Sequence, residues 1–580
     1  MKRTALFLMM FYLFLAPVSA KAGEYNLTIA RETVNVTGHP VKKLTVNGTT
    51  PGPVLHFTEG EDVAVHVTNT MKEPTSIHWH GFLIDGAMDG VPGFNGFPGI
   101  MPGETFTYRF KVRQNGTYWY HSHSQMQEQD GIHGGIVITP KGKDPVQADR
   151  DYVVLLSDFS DEDGRDILSH LKMMSDYYNY ARRTVGDFIT DANKKGFGAA
   201  WEDTKMWNQM RMSPSDLSDV SGYTFLMNGK TPEQNWTGLF KPGERVRLRF
   251  INASAMSFYD VRIPGLKMQV VAADGQNVEP VPVDEFRFGV AETYDAIVTP
   301  KEDKAFTIVA EPIDRTGFAL GTLAPREGMK GEIPQPRPRA QLTMFDMNME
   351  NMMKDMPDMD MSSEGANVSG WARAGTPEGD KALSYHDLRY RGTQKDTRQP
   401  DREILVRLGG NMERYIWTMN GKKYEDSGPM KLRYGERVRL KFVNDTMMAH
   451  PMHLHGMFVQ LENGQPMEKL PNKHTVIIPP GQSYSVLLTA DEAGEWAFHC
   501  HLLYHMMSGM MTKVVVAKLD PSDIPASAKA KPYKGEDSAN AGGMGMDHDM
   551  MTDMPGMDHS HMDHSHMDHS TMNHSMHGGH

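Results

Sequence analysis

Residues 499–510 read His-Cys-His-Leu-Leu-Tyr-His-Met-Met-Ser-Gly-Met, and Cys500 is the only cysteine in 580 residues. His499 and His501 flank it, and His505 and Met510 follow. The run 494–498 before it reads as a strand, on which alternate side chains point to opposite faces. His499 and His501 therefore face one way and Cys500 the other. Such a strand end can serve two metal sites joined by a few backbone bonds, which is a route for electrons. A cysteine, two histidines and a weak methionine form the ligand set of a blue-copper electron-transfer site.

Three more histidine clusters lie upstream: His78-Trp-His80-Gly81, His121-Ser-His123 and His450-Pro-Met-His453-Leu-His455-Gly456. A spacing of two on a strand aims both imidazoles at one side. His453 and His455 share a face, while His450 is out of phase and Pro451 keeps it extended, free to turn to another centre. Two sets result. His450, Cys500, His505 and Met510 suit one copper. His78, His80, His121, His123, His453, His455, His499 and His501 suit a polynuclear site. Half of the eight come from the start of the chain and half from its end, so the chain must close on itself to bind metal.

The elements that position these residues repeat. From residue 24 to 140 the chain is a series of short alternating strands broken by Gly, Pro and Asn, as in a sandwich or barrel. Asn47-Gly48 is followed by Gly60-Glu61 and a strand ending at Asn69. The same order returns at Asn228-Gly229, Gly243-Glu244 and Asn252, and again at Asn420-Gly421, Gly435-Glu436 and Asn444. Three copies at this spacing predict three homologous β domains. The middle copy has no histidine cluster near 290–300 and reads as a structural spacer. It carries an insertion at about 160–220, with apolar residues at helical spacing over 167–180 and 206–212.

The expected organisation is a leader at 1–22, β domains at 23–145, 146–335 and 401–518, a methionine-rich linker at 336–400 and a Met/His-rich tail at 519–580. Residues 344–361 hold eight methionines among acidic and amide residues, without an apolar face. Met557, Met562, Met567 and Met572 each head an Asp-His-Ser or Asn-His-Ser repeat. Neither segment has the composition to build a core.

The formal charge of −13 argues against a nucleic-acid surface. Lys2-Arg3, an apolar run over 5–15 and small residues at 18–22 have the layout of a signal peptide. Its removal makes the charge three units more negative. No twin arginine is present, which favours the general secretory route and a soluble protein outside the cytoplasm. No segment is long and apolar enough to span a membrane. A lone thiol in an oxidising compartment calls for ligation or burial.

The four clusters resemble those of the three-domain multicopper oxidases, relatives of laccases and cuprous oxidases, over nearly all of 24–518. The strings Ser76-Ile-His-Trp-His-Gly81, Gln114-Asn-Gly-Thr-Tyr-Trp-Tyr-His-Ser-His-Ser124, Arg247-Leu-Arg-Phe-Ile-Asn252 and His501-Leu-Leu-Tyr-His505 resemble more closely those of periplasmic copper-resistance proteins of the A type. This resemblance implies an all-β fold of three cupredoxin-like Greek-key sandwiches and four copper ions. It implies a type 1 copper on His450, Cys500, His505 and axial Met510. It implies a type 2 copper on His78 and His453, and a type 3 pair on His80, His121, His123, His455, His499 and His501. The implied reaction takes electrons singly from substrate and reduces dioxygen to two waters.

Dioxygen reduction consumes protons, so a carboxylate is expected at the cluster. Asp89 lies where relatives have one. Some relatives have a second acid where this chain has Met506, and Glu128 or Asp130 could substitute. The expected substrate is Cu(I), in the service of copper tolerance. A laccase-like oxidase of phenols or catechols and a copper-sequestering protein are the alternatives. Thioethers select Cu(I), and imidazole accepts Cu(II) as well, so linker and tail would capture further copper. Periplasmic copper-transfer proteins are the expected partners, and a monomer is expected because three domains complete the site. His39, His56, His66, His133, His170, His386 and His474 match no cluster and read as surface or core residues.

Overall fold

The computed structural model describes residues 23–180, 182–209, 215, 217–338, 342 and 375–518. The leader, the methionine run at 344–361 and the tail from 519 lie outside the described residues. Among the described residues, thirty-one strands form six sheets. Two four-stranded sheets use strands between Gly23 and Thr139; buried residues of both, including Val65 and Ile136, share one core. Two six-stranded sheets follow, over Arg150–Phe159 to Ala319–Ala324, with Ala382–Leu383 added at one edge. A six- and a five-stranded sheet use strands from Arg402–Asn411 to Met511–Ala517. The fold is all-β and cupredoxin-like.

Alternation sets the faces. In Gly23–Val34, Leu27 and Ile29 are buried while Glu24, Asn26 and Thr28 are exposed. Each sandwich pairs its first long strand in parallel with its Gly-Glu strand: Gly23–Val34 with Asp62–Asn69, Arg150–Phe159 with Val246–Asn252, and Arg402–Asn411 with Arg437–Asn444. A parallel pair needs a crossover connection, which gives the Greek-key path.

The repeated asparagines explain why the pattern persists. Asn47-Gly48, Asn228-Gly229 and Asn420-Gly421 all have positive φ, as a two-residue hairpin turn requires. Asn47 Oδ1 accepts from Thr28 N at 2.7 Å, and Asn228 and Asn420 accept equivalently from Leu155 and Arg407 at 2.8 Å. The strand-ending Asn69, Asn252 and Asn444 are buried. Their Nδ2 groups donate to Ile100 O, Phe288 O and Ile478 O, tying strand ends across each sandwich.

The insertion forms α1 (Gly164–Met173), α2 (Val185–Lys195) and α3 (Phe197–Gln209). Helix over 167–180 was too long an expectation. The Met174 N–H closes α1 on His170 O, and Tyr177 turns back to stack on the His170 ring at 4.3 Å. α2, without a counterpart among the predicted elements, starts at a capping box between Thr184 and Asp187. α3 begins well before 206, and residues 210–212 lie outside the described residues.

Arg337 and Thr376 both bond the carboxylate of buried Glu285 in the middle sandwich. No helix among the described residues is long and apolar enough to cross a membrane.

Candidate metal centres

His450, Cys500 and His505 come together with no solvent exposure. Cys500 Sγ lies 3.5 Å from His450 Nδ1 and 3.8 Å from His505 Nδ1, and the two nitrogens are 3.2 Å apart. Three elements build this triangle. His450 starts the strand His450–Leu454, and Cys500 ends the antiparallel strand Gly494–Cys500, with Met452 opposite Cys500. His505 sits in the short helix Leu503–Met507, beside Met506. Met510 is buried and locked by backbone bonds, its carbonyl accepting from Cys500 N and its N–H donating to His505 O, both at 3.0 Å. Burial pushes the Cys500 thiol well above its usual range, so a thiolate here needs a cation beside it.

The outward nitrogens of both histidines are held. Thr446 Oγ1 is 2.7 Å from His450 Nε2. His505 Nε2–H donates to Asp219 Oδ2 at 2.7 Å, and the Tyr415 hydroxyl donates to the same oxygen at 2.6 Å. Trp417 stacks on the His505 ring at 3.9 Å. Asp219 lies beyond α3 at the end of the insertion and belongs to no sequence motif, so nothing local marked it.

The other eight histidines form one buried cluster. His78 and His80 lie on the strand His78–His80, paired with Gly116–His121 so that His78 faces His121. His453 faces His499 across the strands of the last sandwich. Rings from the two ends of the chain stack on each other: His78 on His455 and His80 on His453, each at 3.8 Å. His499 Nε2 is 3.1 Å from His455 Nε2 and 3.4 Å from His123 Nε2. Asn95 clamps the two sandwiches, with Nδ2 donating to Glu495 O at 2.7 Å and Oδ1 accepting from Glu495 N at 2.8 Å.

These histidines fit a metal cluster. His78 Nε2, His80 Nδ1, His121 Nε2, His453 Nε2 and His501 Nε2 are buried without a hydrogen-bond partner, although buried polar atoms are normally satisfied. Opposite nitrogens donate to fixed acceptors: His78 Nδ1 to Asp89 O, His453 Nδ1 to His474 O and His499 Nδ1 to Cys500 O. This arrangement fixes the tautomer that leaves a lone pair facing the cluster. Burial holds His80, His121, His123, His453, His455 and His501 well below the usual histidine range, and His499 at about 4. Neutral imidazole is the form that binds copper.

Asp89 Oδ2 meets His455 Nδ1 at 2.9 Å, and its Oδ1 is 3.3 Å from His78 Nδ1. The next residue, Gly90, has φ +82°, and a Cβ there would lie 1.8 Å from Ile77 O, so only glycine lets the loop approach. Glu128 Oε2 is 2.8 Å from His121 Nδ1, and its Oε1 is 3.9 Å from His501 Nδ1. Desolvation, then Asp158, holds the Glu128 carboxyl well above its usual range. Asp130 has other partners: Lys43 Nζ at 3.6 Å and Gly164 N at 2.9 Å. His474, read as a surface or core residue, is buried with Nδ1 3.2 Å from His80 Nε2.

The fold and the two donor sets define a copper-dependent oxidase on cupredoxin-like sandwiches. The multicopper oxidase family matches residues 28–143, 150–327 and 397–520. Copper resistance protein A of Escherichia coli is 47% identical over 572 residues, covering 86% of this chain and 94% of that protein. Multicopper oxidase MmcO of Mycobacterium tuberculosis is 31% identical over 500 residues, covering 86% and 88%. Among solved structures, the multicopper oxidase Fet3p aligns with a TM-score of 0.65 at 20% identity, over 90% of this chain and 95% of that one. The chain belongs to the multicopper oxidase family, and its cofactor is copper.

Proposed function

We propose that the protein is a copper-tolerance oxidase whose substrate is Cu(I) and whose electron acceptor is dioxygen. The observation that carries this reading is the single strand end on which Cys500 joins one ligand set while His499 belongs to the other. His450, Cys500, His505 and Met510 hold one copper. His78 and His453 hold a second, and His80, His121, His123, His455, His499 and His501 hold the remaining pair. Bound copper supplies the one-electron oxidation of substrate and the multi-electron reduction of dioxygen. Four Cu(I) ions give up one electron each, and dioxygen takes these with four protons to form two waters.

The chain's own residues do the rest. Peptide bonds connect Cys500 to both neighbouring imidazoles. Burial keeps bulk water from the ligands. The Asp219 carboxylate behind His505 favours a cationic substrate. Asp89 and Glu128 touch ligand imidazoles at the edge of the cluster, where protons are consumed, and we assign them to proton delivery.

Relatives named copper resistance protein A support tolerance as the setting. In that setting 1–22 is a cleaved signal peptide and the mature protein a periplasmic monomer. Its copper-bearing domains are 23–145 and 401–518, joined through 146–335. Methionines of the 336–400 linker and the Met/His tail at 519–580 capture additional copper, received from periplasmic copper-transfer proteins.

Dioxygen uptake with Cu(I) and with a phenol, using Cys500→Ser as control, tests the reading. Uptake driven by Cu(I) and lost in Cys500→Ser supports it. Faster turnover of the phenol would make the enzyme laccase-like, and copper binding without uptake would make it a sequestering protein.

A further inference from the structure

The middle sandwich supplies no copper ligand, yet one of its turns reaches the histidine cluster. Asp274 and Gly275 form the tight turn between the strands Met268–Ala273 and Gln276–Val283, both with positive φ. The turn wedges against the first sandwich: a Cβ on Gly275 would lie 2.2 Å from the Tyr118 ring. It also faces the last sandwich at Lys473-His474-Thr475. Asp274 Oδ2 accepts from His474 N at 3.0 Å and from Thr475 N at 3.1 Å. Asp274 Oδ1 is 3.2 Å from Lys473 Nζ, which also lies 2.7 Å from Glu292 Oε1. Asp274, Glu292 and Lys473 are fully buried.

That tripeptide holds one cluster histidine from each end of the chain. His453 Nδ1–H donates to the His474 carbonyl at 2.7 Å. His80 Nε2 is 3.2 Å from His474 Nδ1 and 3.3 Å from Thr475 Oγ1. The opposite nitrogens, His453 Nε2 and His80 Nδ1, are the buried ones without partners. A carbonyl can only accept, so the His474 carbonyl fixes which His453 nitrogen carries the proton. A buried ion pair is weak evidence for stability, because desolvation offsets the attraction, and its clearest attested use is to fix geometry.

We infer that Asp274 is a positioning residue for the histidine cluster, acting from the ligand-free middle sandwich through Lys473-His474-Thr475 on His80 and His453. This makes the middle sandwich part of the metal site rather than the spacer its missing histidines suggest. The inference rests on the ligand reading above.

The test uses full-length copper-loaded protein with Asp274→Asn, which keeps the shape and removes the charge opposite Lys473. The readouts are copper retained against a chelator and the type 2 EPR signal relative to the blue absorption. Asp274→Asn should retain cluster copper roughly 10-fold less well, the lower end of outer-shell effects, with the blue absorption unchanged. Asp260→Asn is the control. Asp260 is equally buried in the middle sandwich, paired with Arg287 and Arg315, and its loss should lower stability without changing the EPR-to-blue ratio. If Asp274→Asn does not fold, Glu292→Gln, which leaves both backbone bonds of Asp274 in place, should shift the ratio in the same direction. An unchanged ratio in the folded variant overturns the inference. His453→Gln separates the two layers. If it keeps the type 2 signal, the ligand reading fails; if it loses the signal while Asp274→Asn behaves as the unaltered protein, only the positioning role fails.

Discussion

Asp89 Oδ2 lies 2.9 Å from His455 Nδ1, a contact between residues 366 positions apart that ties a carboxylate of the first sandwich to a histidine of the last. The same side chain lies 3.3 Å from His78, so one acid touches cluster histidines from both ends of the chain. Asp89→Asn should slow dioxygen reduction roughly 10–100-fold while the blue absorption remains. Stopped-flow reoxidation of reduced protein measures this. Unchanged reoxidation would remove Asp89 from proton delivery.

Glu128 and Asp130 are two residues apart and have different surroundings. Glu128 contacts His121, whereas Asp130 pairs with buried Lys43. Glu128→Gln should reduce turnover roughly 10²-fold, the lower range for a lost acid–base group. Asp130→Asn should leave turnover per folded molecule unchanged and cost about 3 kcal/mol in denaturant titration, because Lys43 loses a buried partner.

Asp219 touches His505 from outside the cysteine centre. Asp219→Asn should raise KM for Cu(I) roughly tenfold at low ionic strength by removing a charge that attracts a cation. The response to a neutral phenol should be much smaller. Equal effects on both substrates would count against a role in selecting a cation.

Asn444 links fold to site. Its Nδ2 lies within 3.0 Å of the carbonyls of Met448, Ile478 and Pro479, and its Oδ1 accepts from Thr446 Oγ1 at 2.8 Å. Thr446 in turn holds His450. Asn444→Ala should cost about 3 kcal/mol, since buried carbonyls lose their donor. The blue absorption should shift as well, because Thr446 is released.

Removing residues 541–580 should lower bound copper per chain and leave dioxygen uptake intact. Metal analysis after gel filtration reads this directly. Equal copper in both forms would count against capture by the tail.

The histidine and cysteine clusters were legible because strand geometry is local. His-x-His at a spacing of two needs no partner to declare a common face, and Cys500 between histidines declares two faces at once. The Asn-Gly turns and strand-ending asparagines were legible for the same reason, being repeated solutions to one local problem. Asp274 and Asp219 were not. Asp274 acts on backbone groups some 200 residues away, and Asp219 touches His505 across 286. The contact His474 makes was not legible either, because a lone histidine carries no sign of the His80 ring that will sit beside it.

Glu285 has a consequence for how the methionine content of this enzyme can change. Because Arg337 and Thr376 meet on one carboxylate, the two described flanks of the methionine-rich stretch are held together at a single point. Doubling the number of residues between two chain positions held together in this way costs only about 0.6 kcal/mol in closure entropy. Thioether number is therefore a quantity that selection, or an engineer, can raise or lower by insertion and deletion, with the catalytic body as a fixed chassis.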